Sequence, residues 1–221
     1  MAHDAGAALR VHEVDFHAVP GGWLTMREGV LHPNHIKNKV HSTVGEQLSL
    51  DPYDAVLVGA VGCIAARNQN TRHTLVNMAL PKWEGDLPLV SAQVFPRAVR
   101  QALVDFPVIQ LCSDIADVFK GQLFFQPWPL PSAAILNDRE WRINQVYGQH
   151  AAEAVATYFQ TQFEQLAKLM SGKGALLPYP EAEWFAAGFT PAEFGTADPW
   201  HMTPEYGALV LQQFADALDQ T

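Results

Sequence analysis

Tyr53-Asp54-Ala55-Val56-Leu57-Val58-Gly59-Ala60-Val61-Gly62 is the stretch that decides the fold. From Ala55 to Val61 no side chain carries a charge or a hydrogen-bonding group. A strand with one wet face alternates apolar and polar residues; this one does not. It reads as a strand covered on both faces, the usual state of a strand in a parallel sheet flanked by helices. Asp51-Pro52 supplies a turn before it, and Gly62 breaks it just ahead of Cys63.

The pattern on either side fits that frame. Residues 10–19 alternate and then turn apolar, which predicts a strand closed by Pro20-Gly21-Gly22. Gln122-Leu123-Phe124-Phe125-Gln126 predicts another, ended in extended form by Pro127-Trp128-Pro129-Leu130-Pro131. Short strands are also expected at 108–112 and 175–177. Helices are expected within 63–79, over 89–105, and over 139–170 as the longest one, with Gly172 terminating it. A closing helix is expected over 203–218, with Pro204 in its first turn. Residues 3–9 read as the end of a short helix, 114–119 as a helical turn, and 23–50 as a mixed, exposed stretch. Strands alternating with helices predict an α/β fold, three-layer α/β/α with a mainly parallel sheet. No repeat or linker divides the chain, so 1–221 reads as a single domain.

Composition narrows the function classes. With 221 residues and 48% hydrophobic content the chain can bury one sizeable core. Fourteen basic against 23 acidic residues give a formal net charge of -9, which argues against nucleic acid or an anionic membrane as partner. Two cysteines, Cys63 and Cys112, do not make a disulfide scaffold. No apolar run reaches the roughly 18–20 residues of a membrane span. The start, Met1-Ala2-His3-Asp4, lacks the basic and apolar regions of a leader, so a cytoplasmic protein is expected. His32-Pro33-Asn34-His35, with His41, has no metal-ligand spacing and reads as a polar loop; no metal or other cofactor is expected.

Chemistry enters at Asp198-Pro199-Trp200-His201, just before the closing helix. A carboxylate three residues from an imidazole can fix its tautomer and stabilise the imidazolium, while the imidazole takes a proton from a nucleophile. The bland reading is a helix N-cap beside a surface His. Ligands of open α/β sheets bind at the carboxyl ends of the strands. Gly22, the Gly62-Cys63 pair, the segment 127–131 and the Asp198–His201 block all follow strands or a late loop, and are expected on one edge. Trp128 and Trp200 are expected to form an aromatic platform for substrate. Ser42, Ser49 and Ser113 have no nucleophile-elbow context and read as surface or capping hydroxyls.

The order of these pieces resembles the GDSL/SGNH hydrolase superfamily. Asp198-x-x-His201 with Gly207 beyond it is similar to that family's last block. The strand ending in Gln126-Pro127-Trp128-Pro129 is similar to the proline-ended strand before its long helix. Tyr53 to Gly62 looks like the central strand ahead of the family's Asn-bearing block. The resemblance implies a flavodoxin-like sheet and hydrolysis or transfer of an acyl ester, on a small or carbohydrate-linked substrate. It implies His201 as base, Asp198 as its orienting partner, and Gly22 and Asn68 (or Asn70) as oxyanion donors. The family's Gly-Asp-Ser nucleophile block is absent; Gly85-Asp86-Leu87 has the wrong third residue. Three alternatives follow. The family's first strand and its serine would lie before Met1; or Cys63 attacks, with its thiol pKa lowered by a helix N-terminus or by His201; or the chain is an inactive member that binds a glycan or a protein partner.

Overall fold

The computed structural model describes residues 24–27, 30–33, 47–62, 93–137, 142–196 and 202–220. Two sheets are present among them. Strands β1 (Leu24–Arg27), β2 (Val30–Pro33) and β3 (Leu48–Ser49) form a small antiparallel sheet. Strands β4 (Ala55–Val61), β5 (Gln122–Pro127) and β6 (Ala175–Leu176) form a parallel one with β5 in the middle. The helices are α1 (Phe95–Val104), α2 (Pro107–Val118), α3 (Arg142–Tyr147), α4 (Ala151–Met170), α5 (Ala182–Ala187) and α6 (Pro204–Asp219). The α/β class expected from sequence is therefore observed.

Adjacent residues of β5 point to opposite faces, and this divides the core in two. On one face Phe125 joins a large cluster with Val99 and Leu103 of α1 and with Val155, Phe159 and Leu166 of α4. On the other, Phe124 packs with Leu177 and Phe214 of α6, the two rings meeting edge to face at 5.2 Å. Helices thus cover β5 from both sides. That is why Leu123, Phe124 and Phe125 are all buried and the strand sequence does not alternate.

The helices start where proline permits. α1 has Pro96 in its first turn and buries Phe95, Val99 and Leu103, one residue per turn. α2 begins on Pro107 and buries Val108, Ile109, Leu111, Cys112 and Ile115. The strand expected at 108–112 is thus part of a helix. A short apolar run suits a buried strand or a buried helix equally, and Pro107 in the first position is the local feature that favours the helix. Helix α1 begins later than the expected 89–105, at Phe95, with 89–92 outside the described residues. The single helix expected over 139–170 is broken: Gly148, at φ 50°, opens a 3-10 turn, Gly148–His150, between α3 and α4. The closing helix and the strands at Ala55, Gln122 and Ala175 fall where expected. The stretch 23–50 holds the antiparallel sheet, whose strands of two to four residues are too short to show a period. The expected strand at 10–19 and helices at 3–9 and 63–79 lie outside the described residues.

Phe125 is fully buried at the centre of the larger cluster. Truncation leaves a cavity that packed neighbours on two helices cannot collapse into. Phe125→Ala should therefore cost roughly 3–5 kcal/mol, read as a lower urea midpoint at unchanged slope. A loss under about 1 kcal/mol would contradict this core.

Candidate functional site

The carboxyl ends of β4 and β5 are irregular in a way their other ends are not. Pairing runs in step from Ala55 opposite Gln122 to Val58 opposite Phe125, then slips before Val61 meets Pro127. At the slip Ala60 takes φ 56°, a left-handed conformation that costs a non-glycine residue about 1–2 kcal/mol. Gly62 follows at φ 148° and lies against Gln162 of α4 and Trp128; an added Cβ would come within 3.2 Å of Gln162 Nε2. The Trp128 N–H donates to the Val61 carbonyl at 3.0 Å, tying the two strand ends together. Bulges and strained residues of this kind are concentrated at functional edges.

A polar set gathers around this end. The Tyr179 hydroxyl donates to the Trp128 carbonyl at 3.1 Å, and Gln213 Nε2 of α6 donates to the Tyr179 carbonyl at 3.3 Å. On α4 the Tyr158 hydroxyl donates to Gln162 Oε1 at 3.0 Å. Burial pushes the Tyr179 phenol up, and the nearby Tyr206 phenol adds to that shift. Burial also pushes Tyr206 up, so both act as neutral hydroxyls. Gln126 is 4% exposed, yet neither its Oε1 nor its Nε2 meets a hydrogen-bond partner among the described residues. The same holds for Trp128 Nε1, the Tyr206 hydroxyl and Gln213 Oε1. An unmet buried polar group costs about 1–3 kcal/mol, so a group of them on one edge calls for a reason.

The late loop is anchored beside the same edge. Ser132, just beyond β5, bridges Thr190, whose hydroxyl donates to the Leu130 carbonyl at 3.0 Å. Gly195 packs on Ser132 so closely that an added Cβ would lie 2.5 Å from its Oγ. Gly195 also bridges Met202, and the Thr203 N–H donates to the Phe194 carbonyl at 2.8 Å, directly ahead of α6. The two ends of the segment carrying Asp198 and His201 are thus pinned together next to the continuation of β5.

Of the residues expected in the site, Trp128 is described: half-buried, at the carboxyl end of β5. Gly22, Cys63, Asn68, Asp198, Trp200 and His201 lie outside the described residues. Their chain neighbours Gly62, Gly195 and Met202 are described, and all three sit near Trp128 or Ser132 as set out above. Gln126, Tyr179, Tyr206 and Gln213 were not expected from the sequence. For Gln126 a signal existed: it is the one polar residue between Phe125 and Pro127 in an otherwise apolar strand end. The tyrosines and Gln213 carry no such mark, since each lies in ordinary loop or helix sequence.

Two other places merit comparison. A cavity of about 190 Å3 lined by Leu50, Asp51, Tyr53, Val118, Phe119 and Lys120 lies at the opposite, amino edge. Asp51 and Lys120 are both exposed there, and no buried polar groups converge on it. Nearby, Lys173 Nζ donates to Ser113 Oγ at 2.6 Å, and Ser113 donates to the Ile109 carbonyl one turn back. Ser113 is therefore mid-helix in α2, not the cap expected of it. Among the described residues no three His, Cys, Asp or Glu side chains gather to hold a metal; His32 lies on β2.

Comparison with known proteins returns no match: no family model, no curated sequence and no solved structure is significantly similar to this chain.

Cys112 is fully buried, and burial pushes its thiol up to about 12, with Lys173 pulling the other way. Its folded pKa lies above its unfolded value. The resulting stability is whole below about pH 8.5–9 and is lost as pH rises toward 12, by at most about 1.4 kcal/mol per pH unit. Cys112→Ala should flatten the fall in urea stability between pH 9 and 11, and a Cys63→Ala chain should show no thiol reacting with Ellman's reagent before unfolding.

Proposed function

We propose that this chain is an acyl-ester hydrolase or acyltransferase of the SGNH type, working at the carboxyl edge of the β4–β5–β6 sheet. The reaction needs a base that accepts a proton from an attacking hydroxyl or thiol and returns it to the leaving group. His201 takes that role and Asp198 holds the imidazole in the productive tautomer. Backbone N–H of Gly22 and the amide of Asn68 stabilise the oxyanion. Cys63, directly after Gly62, is the attacking residue this chain offers. Trp128 and Trp200 contact the substrate. No cofactor is required by such a mechanism, and the proposed setting is cytoplasmic. Among the described residues no helix is long and apolar enough to cross a membrane.

The observation that carries the reading is the anchoring of the late loop. Gly195 and Met202, which flank the Asp198–His201 block, are bridged to one another, and Gly195 packs on Ser132 just past β5. The strained end of β4 at Ala60 and Gly62 is tied to the end of β5 through Trp128. Both neighbourhoods therefore belong to the edge where α/β sheets bind their ligands. A second reading, a non-reacting member that binds a glycan or protein through this edge, is favoured by one feature: the chain contains no Gly-Asp-Ser.

Turnover of short-chain 4-nitrophenyl esters decides between them. The intact chain should hydrolyse the acetyl ester. His201→Ala should lower kcat/KM by roughly 10²–10⁴-fold, and Cys63→Ala should abolish the burst of acylation. A folded chain with no turnover would overturn the hydrolase reading and leave the binding one. Turnover unaffected by His201→Ala would overturn the assignment of the base.

A further inference from the structure

The unmet polar atoms at the carboxyl edge have a common chemistry. They include two donors, Gln126 Nε2 and Trp128 Nε1, two acceptors, Gln126 Oε1 and Gln213 Oε1, and the Tyr206 hydroxyl, which is both. They are linked through the chain and through Tyr179. Gln126 and Trp128 are two residues apart on one strand end. Tyr179 joins Trp128 to Gln213 through its hydroxyl and its carbonyl, and its phenol senses that of Tyr206. Phe124 against Phe214 sets α6 on the same sheet face as Gln126, with Tyr206 two turns nearer the start of the helix. These atoms are themselves shut off from solvent; the chain around them comes to the surface at Trp128 and Pro129, half-buried, and at Pro178, exposed.

None of these side chains is charged. An anion such as a phosphate or carboxylate would want a cation or several donors alone; a fatty chain would want no polar atoms at all. Groups that offer donors and acceptors in near-equal number, beside indole and phenol rings, match a ligand whose hydroxyls both give and accept. We infer that Gln126, with Trp128 Nε1 and the Tyr206 hydroxyl, forms a recognition subsite for a neutral, hydroxyl-rich ligand of the sugar or polyol class. The inference rests on the carboxyl edge being the working edge of the proposed enzyme, and it specifies which part of the substrate that edge reads. On this reading Gln126 is polar and unpartnered among the described residues because its partners are on the ligand.

The test uses the full chain with glucose, cellobiose, N-acetylglucosamine and glucuronate, read by saturation-transfer NMR and titration calorimetry. At least one neutral sugar should show transfer and bind more tightly than glucuronate. Gln126→Leu, close in shape but without the amide, should weaken that sugar roughly tenfold. Its Tm should equal or exceed that of the parent, because a buried amide without partners in the fold is replaced by apolar atoms. Tyr206→Phe, which removes one hydroxyl, should weaken the same sugar by a smaller factor. Transfer from none of the neutral sugars, tighter binding of glucuronate, or unchanged affinity in both variants would overturn the inference. A Tm of Gln126→Leu several degrees below the parent would overturn it too, since the amide would then have been serving the fold. Hydrolysis of 4-nitrophenyl acetate by the intact chain reports the acyl reading separately. Turnover without sugar binding sinks the subsite alone, and sugar binding without turnover sinks the hydrolase alone.

Discussion

Parallel pairing of β4 with β5, the latter buried from both sides, is the constraint on which the rest of the structure depends. It requires two successive phenylalanines, Phe124 and Phe125, to face opposite clusters, one under α6 and one under α4. It also sets a common direction for the strands, so that their carboxyl ends share one edge. Parallel strands cannot be joined by a tight turn. The helical crossover between β4 and β5, which includes α1 and α2, and that between β5 and β6, through α4, follow from this pairing. The same crossovers carry the residues that cover the sheet.

The two edges then diverge in character. At the amino edge Lys173 clasps Ser113 and Cys112 is sealed in the core, an arrangement with a structural purpose and no reactive group. At the carboxyl edge the register slips, Ala60 is held in a strained conformation, and neutral polar groups are buried around Trp128. Strain and unmet polar atoms lower stability. Their concentration on the edge where sheets of this class bind ligands is the physical basis for placing function there.

Much of the architecture is legible in the sequence, for identifiable reasons. Ala55–Val61 lacks any polar side chain and is a strand as expected, though only half-buried before Val61, with Gly59 exposed; the run from Pro127 to Pro131 ends β5 because proline cannot continue the ladder. Thr203-Pro204 marks the start of α6 because proline suits a first helical turn. Reading fails where local pattern has two solutions. Val108-Ile109-Gln110-Leu111-Cys112 fits a strand by composition and a helix by its proline start, and tertiary burial selects the helix. Gly148 splits one helical period into two because a positive φ is invisible in a hydrophobic pattern. Of the proposed site residues, Asp198 and His201 stand out in the sequence through the chemistry of their side chains, and Trp128 through its place at a strand end. Tyr179, Tyr206 and Gln213 become meaningful only when folding brings Tyr179 against Trp128 and α6 against Tyr179.

The central claim is that the end of β4 and the Asp198–His201 segment share one edge of the sheet. It is tested most directly by short-range cross-linking of native Cys63, the residue after Gly62, to a cysteine at position 201, in a His201→Cys, Cys112→Ala chain. A short bismaleimide should join the two within one chain, as it should join the exposed, one-turn-separated control pair made by Gln101→Cys and Asp105→Cys. Cross-linking of the control pair with none between positions 63 and 201 would contradict the account, because the proposed base and the strand end would then lie on different parts of the molecule.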